Sequence, residues 1–287
     1  MALVHELCAS MDALAAIGAE LRRRRDGLPV VAPIRDLIEQ VIRGVEPDLL
    51  TDVTADQQAT ALGIIESFFR QAADLLDHPG RPPGWSYDDP VVIDGQGMTS
   101  RAFVRAFENA AAATPGFAET LARPGAFLDV GAGAGWLAIE VARCWPAWTV
   151  VAIDRWVPAL ELARRNIAAA QMQHRITLRR QDVRDLDDRR AFSLAWVPGP
   201  FLAADAVCRG LERLQRALVP GGWLVFSLFA TENTRWGEAL RALKVVRNGG
   251  YPWKREELET MLADGGFVNI VTSSLAGSTI TIAQVEG

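Results

Sequence analysis

The residues with the clearest chemical content lie in the stretch FLDVGAGAGW, residues 127–136. Gly131, Gly133 and Gly135 follow an apolar run, Ala126–Val130, and precede a helical pattern, so they form a strand-to-helix turn. Such a turn brings bare backbone N–H groups to the helix N-terminus, where an anionic group can be held. A second apolar run ends in Ala152-Ile153-Asp154, placing the Asp154 carboxylate where it can accept both hydroxyls of a ribose. A third ends in Gln181-Asp182-Val183 and supplies Asp182. All three loops fall at the carboxyl ends of strands, the edge at which open α/β sheets bind ligands, so a nucleoside ligand is expected.

Nicotinamide enzymes share a glycine-rich turn followed by an acid about 20 residues later. Their G-x-G-x-x-G/A fingerprint needs a small third residue so that the helix packs closely on the strand. Counted from Gly131, that position is Trp136, and an indole there opposes a dinucleotide. The spacing is instead G-x-G-x-G, with Asp129 two residues ahead. Together with Asp154 and Asp182, this resembles the class I S-adenosylmethionine-dependent methyltransferases, over residues 126–287. The resemblance implies that the turn, with Asp129, meets the methionine part of the cofactor, that Asp154 holds the ribose and that Asp182 meets the adenine amino group, with Arg155 and Val183 beside the base. The cofactor has a carboxylate, a diol and an aminopurine but no phosphate, and no lysine stands near the turn. No metal is implied. The competing readings are an NAD(P)-dependent oxidoreductase and a methyltransferase-like protein that binds without turnover.

The fourth strand is expected to end at the transferred methyl group, and there the chain reads AWVPGPF, residues 195–201. DNA and protein amide methyltransferases carry a polar residue and then Pro-Pro-aromatic at this point. Here Val197 replaces the polar member and Gly199 one of the prolines, which argues against an amino-nucleobase acceptor. Trp196, Pro198, Gly199 and Phe201 read as an apolar wall beside the sulfonium, whose charge suits aromatic faces; Trp196 reads equally well as core. No general base stands out. Of the three histidines, His5, His78 and His174, the last falls in a helix-to-strand connection at the far edge of the sheet. Glu232, after the fifth strand, and Tyr87 and Asp88, from the N-terminal part, are the catalytic candidates. A positioned base supplies about 10²–10⁴ in rate, whereas proximity and orientation supply roughly 7–11 kcal/mol, so methyl transfer is mainly a positioning problem. Trp85, Tyr87, Trp136, Gly199, Phe201 and Tyr251 are the expected substrate-pocket residues, with residues 84–94 and 97–107 covering the site. Trp236, Tyr251 and Trp253 form a further aromatic set.

Beyond residue 125, strand-like runs alternate with helical patterns: Ala126–Val130, Thr149–Ile153, Ile176–Arg180, Phe192–Val197 and Gly222–Phe229, with helices near 134–145, 156–172 and 201–218. This predicts a doubly wound, Rossmann-like α/β fold with a mostly parallel sheet. A last helix, Glu256–Asp264, precedes Phe267–Leu275 and Ser278–Val285, two extended runs around Ala276-Gly277 and hence an antiparallel hairpin. Residues 1–122 read as an all-helical domain with helices in Leu3–Leu21, Ile34–Val45, Ala59–Leu76 and Ser100–Ala113. Pro- and Gly-rich breaks fall at 78–90 and 114–125, and Asp94-Gly95 carries a tight-turn signal. The boundary is placed at 122/123, the first part serving as a lid, substrate or dimerisation domain and the second as the catalytic domain.

In 287 residues, 49% hydrophobic and 23% charged, the composition is that of a folded globular protein. Residues 1–122 carry a net charge of −8 and 123–287 of +3, neither of which suits a nucleic-acid partner. The run Arg22–Arg25 closes a helix before Gly27, where cations complement the dipole. The longest apolar run, Trp223–Ala230, is shorter than a membrane span, and Glu6 and Asp12 replace the basic residues of a leader; the expectation is a cytoplasmic protein without a membrane partner. Cys8, Cys144 and Cys208 match neither a disulfide framework nor a zinc site and are expected to be buried thiols. The function expected is methyl transfer to the O, N or C atom of a small, apolar or aromatic metabolite of secondary metabolism, by a possible homodimer formed through the N-terminal helices.

Overall fold

Helical periodicity fills the first third of the chain, and strand–helix alternation the rest. The computed structural model describes residues 1–230, 234–275 and 277–287. Its elements run α1 Ala2–Asp26, α2 Ala32–Val45, α3 Ala55–Asp77, α4 Pro90–Met98, α5 Phe103–Ala113, α6 Pro115–Leu121, β1 Ala126–Val130, α7 Trp136–Cys144, β2 Thr149–Asp154, α8 Val157–Ala169, β3 Ile176–Arg180, β4 Phe192–Pro198, α9 Ala204–Ala217, β5 Leu218–Phe229, α10 Arg235–Arg247, α11 Arg255–Asp264, β6 Phe267–Leu275 and β7 Ser278–Val285. The chain divides into two units, Met1–Pro79 with Asp89–Thr99, and Gly80–Asp88 with Ser100–Gly287.

In the first unit, α3 starts with a capping box in which Thr54 and Gln57 satisfy each other's backbone N–H groups. Asp94-Gly95, expected as a turn, lies inside α4, where a Cβ on Gly95 would sit 2.1 Å from the Gly63 carbonyl oxygen of α3. Gly95 is therefore a contact glycine, and Ser67 donates to the Val92 carbonyl at 3.2 Å across the same seam. The arginine run does close α1, which ends at Gly27 in the left-handed region, and Arg23 and Arg24 also pair with the buried Glu20. By length and composition α1 is apolar enough to cross a bilayer, as are many core helices and signal sequences.

The second unit holds a seven-stranded sheet among the described residues, in the order β3-β2-β1-β4-β5-β7-β6. The first five strands pair in parallel, and β7 joins β5 and β6 in antiparallel fashion, closing the sheet with the expected hairpin. Its central strands β1, β4 and β5 are buried on both faces. Phe127, Leu194, Trp196, Trp223 and Val225 point to one core cluster, which includes residues of α5 and α7; Leu128, Val130, Val197, Leu224 and Phe226 point to the other, with α9 and α11. The expected boundary at 122/123 is displaced, because α5 and α6 belong to this unit. Phe107 and Phe117 are fully buried, 6.3 Å from Phe127 and 5.3 Å from Trp223 between ring centres. All three cysteines are exposed rather than buried.

Candidate active site

The strand order reverses at β1, with β2 and β3 on one side and β4 and β5 on the other. A ligand crevice forms outside the carboxyl ends of strands at such a switch point. There the Pro198 ring lies 3.1 Å from where a Cβ on Gly131 would stand, so the loops after β1 and β4 touch. Gly131, Gly133 and Gly135 have φ of 64°, 54° and 79°, a region open to glycine at little cost. A Cβ on Gly135 would also come within 3.2 Å of Ala163 on α8.

Asp154 fastens this turn. Its Oδ2 accepts the Gly133 N–H at 2.9 Å and its Oδ1 the Trp156 N–H at 2.8 Å. Each carboxylate oxygen has two acceptor sites, so Asp154 can hold the turn and still receive a diol. Burial raises its pKa, while these N–H bonds pull the other way. Asp129 is 1% exposed; burial first, and the Asp154 carboxylate second, push it up to about 8 against a bond from the Ala138 N–H. Its Oδ2 has no hydrogen-bond partner among the described residues. Backbone N–H groups beside two crowded acids suit a ligand with a carboxylate, a diol and positive charge, and the donor set fits S-adenosylmethionine.

Asp182 is gripped by its neighbour. Arg184 donates its backbone N–H and Nε to Oδ1, both at 3.0 Å, and its terminal nitrogen to Oδ2 at 2.9 Å, which holds the Asp182 pKa down. Val183 does not stand open beside a base: its side chain is buried, 3.0 Å from the Cβ position of Gly210 on α9. Arg155 is exposed.

Beyond β4 the structure brings several pocket candidates together. The Phe201 ring meets Trp85 edge-on at 5.5 Å and Phe229 at 5.8 Å, and Trp85 meets Tyr87 at 5.2 Å. Arg81 lies over the Tyr87 ring and donates to its hydroxyl at 3.1 Å. Trp156 Nε1 donates to the Tyr87 carbonyl at 2.7 Å, tying residues 80–88 to the loop that carries Asp154. The Gly in place of a Pro is steric, since a Cβ on Gly199 would overlap Phe226 at 2.2 Å and the Ser227 carbonyl oxygen at 2.7 Å.

Other candidates fall elsewhere. Trp196 is 3% exposed and packs on Phe103 at 4.4 Å and Phe107 at 5.6 Å, so it is core and not wall, on the same strand face as Leu194. Trp136 opens α7, packs against that cluster and has the Arg101 guanidinium 5.5 Å over its ring. Tyr251 is exposed, set against Trp253, and a hydrogen bond with Glu257 raises its pKa. Trp236 is also exposed, and so is Asp88. Glu232 lies outside the described residues. Among the described residues no group of three or more His, Cys, Asp or Glu could hold a metal. The sequence reading missed Trp156, Phe229 and Lys244, although Trp156 directly follows the second acidic loop and Lys244 is one of only two lysines.

Residues 127–222 match the family described as a methyltransferase domain. Malonyl-[acyl-carrier protein] O-methyltransferase of Halalkalibacterium halodurans is 28% identical over 110 residues, 38% of this chain and 41% of the relative, so the match spans less than half of that protein. Among solved structures, an O-methyltransferase family protein from Burkholderia thailandensis has a TM-score of 0.67 at 16% identity, covering 99% of this chain and 96% of that one. Human N-acetylserotonin methyltransferase in complex with S-adenosylmethionine has a TM-score of 0.64 at 15% identity, covering 99% and 97%. At these identities the structures share a fold. Residues 127–222 thus carry the match to a methyltransferase domain, within a sheet of the class I methyltransferase fold.

Proposed function

We propose that the protein transfers a methyl group from S-adenosylmethionine to a small aromatic or otherwise apolar metabolite. The observation that carries the acceptor class is the contiguous set Trp85, Tyr87, Phe201 and Phe229 at the ends of β4 and β5, with Phe201 three residues after Pro198. Aromatic faces favour a sulfonium, and a planar acceptor lying on them gains roughly 25 cal/mol per Å² of buried apolar surface. Oxygen is the acceptor atom we propose, as in the names of the Halalkalibacterium and Burkholderia proteins. The work of the site is alignment, with bound groups held for in-line transfer. The same reading places the protein in the cytoplasm, in secondary metabolism, without nucleic acid or membrane as partner. It also pairs two copies through α2, which leaves Ile34, Leu37, Val41 and Val45 exposed on the first unit; sedimentation equilibrium of the native chain and of Leu37→Glu tests the dimer.

Calorimetric titration with S-adenosylhomocysteine and with NADH, on the native chain and on Asp154→Ala, tests the cofactor. Binding of the homocysteine nucleoside that weakens at least tenfold in the variant is expected, since a hydrogen bond to a charged group contributes about 1.5–3 kcal/mol. No binding, or a preference for NADH, overturns the reading.

A further inference from the structure

The aromatic cluster beyond β4 ends at an amine. Lys244, on α10, places its Nζ 4.9 Å from the centre of the Phe229 ring, and Phe229 is the ring that faces Phe201. The helix packs against the 199–201 turn, and Lys244 is half-buried there. Of the 30 basic residues in the chain, 28 are arginines, which stay protonated in proteins; the two lysines are Lys244 and Lys254. Lys254 caps α11 on the exposed surface.

We infer that Lys244 is the acceptor-side catalytic residue, and that the acceptor is a planar aromatic carrying an acidic hydroxyl, a phenol or an enol, laid along Phe201 and Phe229 with that hydroxyl at Nζ. The inference rests on the methyltransferase reading and names its substrate class. The proton step balances within the pair: the acceptor O–H bond breaks, its electrons stay on oxygen and the proton joins the Nζ lone pair to give an ammonium. The methyl carbon then passes to that oxygen as its bond to sulfur breaks, the electron pair staying on sulfur. Burial supports the unprotonated amine by pulling the Lys244 pKa down to about 8. The charged side chains one turn away on its own helix, Arg241 and Arg247, are both cations, and Arg81 from residues 80–88 donates to the Arg247 carbonyl at 3.5 Å.

The probe is 4-nitrophenol, whose anion is coloured, titrated with pH in the presence of saturating S-adenosylhomocysteine. On the native protein the half-ionisation point of bound nitrophenol is expected to fall by at least about one pH unit, a tenfold shift in its ionisation. The shift is expected to vanish in Lys244→Met and to persist in Lys244→Arg, which keeps the charge. Methyl transfer to phenolic acceptors should fall at least about 100-fold in both variants, the range a positioned base supplies. The calorimetric affinity for S-adenosylhomocysteine should stay within a few-fold of native in both. An unshifted nitrophenol on native protein that binds S-adenosylhomocysteine overturns the role of Lys244 alone; absence of S-adenosylhomocysteine binding overturns the cofactor reading. Should Lys244→Met not fold, competitive acetylation of the native chain read by mass spectrometry decides: nitrophenol protecting Lys244 but not Lys254 supports the assignment, and equal labelling overturns it.

Discussion

Asp129→Asn isolates the least comfortable charge in the catalytic domain. The native carboxyl is buried, has one unpartnered oxygen and is pushed up to about 8, whereas in the unfolded chain it titrates near 3.9. Between those values the unfolded chain has lost a proton that the native protein keeps, so the group's contribution is full below about pH 4 and is lost as pH rises to about 8. At 1.36 kcal/mol per pH unit, the loss between pH 5 and pH 8 is at most about 4 kcal/mol. Asparagine has nearly the shape of the protonated acid and does not titrate, so the variant lacks this slope whatever its absolute stability. For a unit of this size about 1 kcal/mol corresponds to roughly 2–4 °C in Tm, so Tm of the variant minus Tm of the native chain should grow by several degrees, on the order of 10 °C, from pH 5 to pH 8. Scanning calorimetry at each pH on both proteins measures it. Parallel Tm profiles would refute the argument that Asp129 carries a proton. The same reasoning makes cationic S-adenosylmethionine release a proton on binding near neutral pH, visible as a binding heat that differs between buffers of different ionisation enthalpy.

Three further substitutions test the placements. Trp196→Ala should cost about 3–5 kcal/mol in urea unfolding while leaving the affinity for S-adenosylhomocysteine within a few-fold; a stable variant with lost affinity would return Trp196 to the wall. Gly199→Ala forces the turn after β4 off Phe226 and should destabilise by about 1–3 kcal/mol or more, and an unchanged Tm would mean that the overlap relaxes freely. Trp156→Phe keeps the ring but removes the bond to the Tyr87 carbonyl, worth about 0.5–1.5 kcal/mol; hydrogen exchange in residues 80–88 should quicken while β1 and β4 stay protected.

Where a local pattern decides the backbone, the sequence was legible. The strand Ala126–Val130 and the hairpin Phe267–Leu275 and Ser278–Val285 lie where apolar runs and turn residues put them. The failures are tertiary. Val91–Ile93 with Asp94-Gly95 has the local grammar of a short run and a turn, but Asp89 caps a helix whose Gly95 is needed for contact with Gly63. Pro115 signals a break but is the first residue of α6, a position where its missing N–H costs nothing. The helix Arg235–Arg247 was not anticipated, although Thr234 caps it. The domain boundary slipped because nothing in the periodicity of α5 and α6 tells which surface Phe107 and Phe117 will cover.

The two halves of the site differ for the same reason. The glycine turn, Asp154 and Asp182 are each fixed by the strand that precedes them, so spacing along the chain located them without any distant contact. The proposed acceptor side draws on Trp85, Phe201, Phe229 and Lys244, which come from four separate stretches, and residue type does not separate wall from core there. Alternation along the strand does not help either, since both faces of this sheet are covered, and Trp196 and Val197 are equally buried on opposite sides. What separates them is position relative to the strand end. Trp196 lies within the β4 ladder, paired with Asp129 on one side and Val225 on the other, so its ring is trapped between sheet and helices. Phe201 lies past that end, Phe229 is the last residue of β5 and Trp156 is the second residue after β2. In a doubly covered parallel sheet, an aromatic ring can reach the ligand only where the covering helices have stopped, and that limit is readable once the strand ends are known.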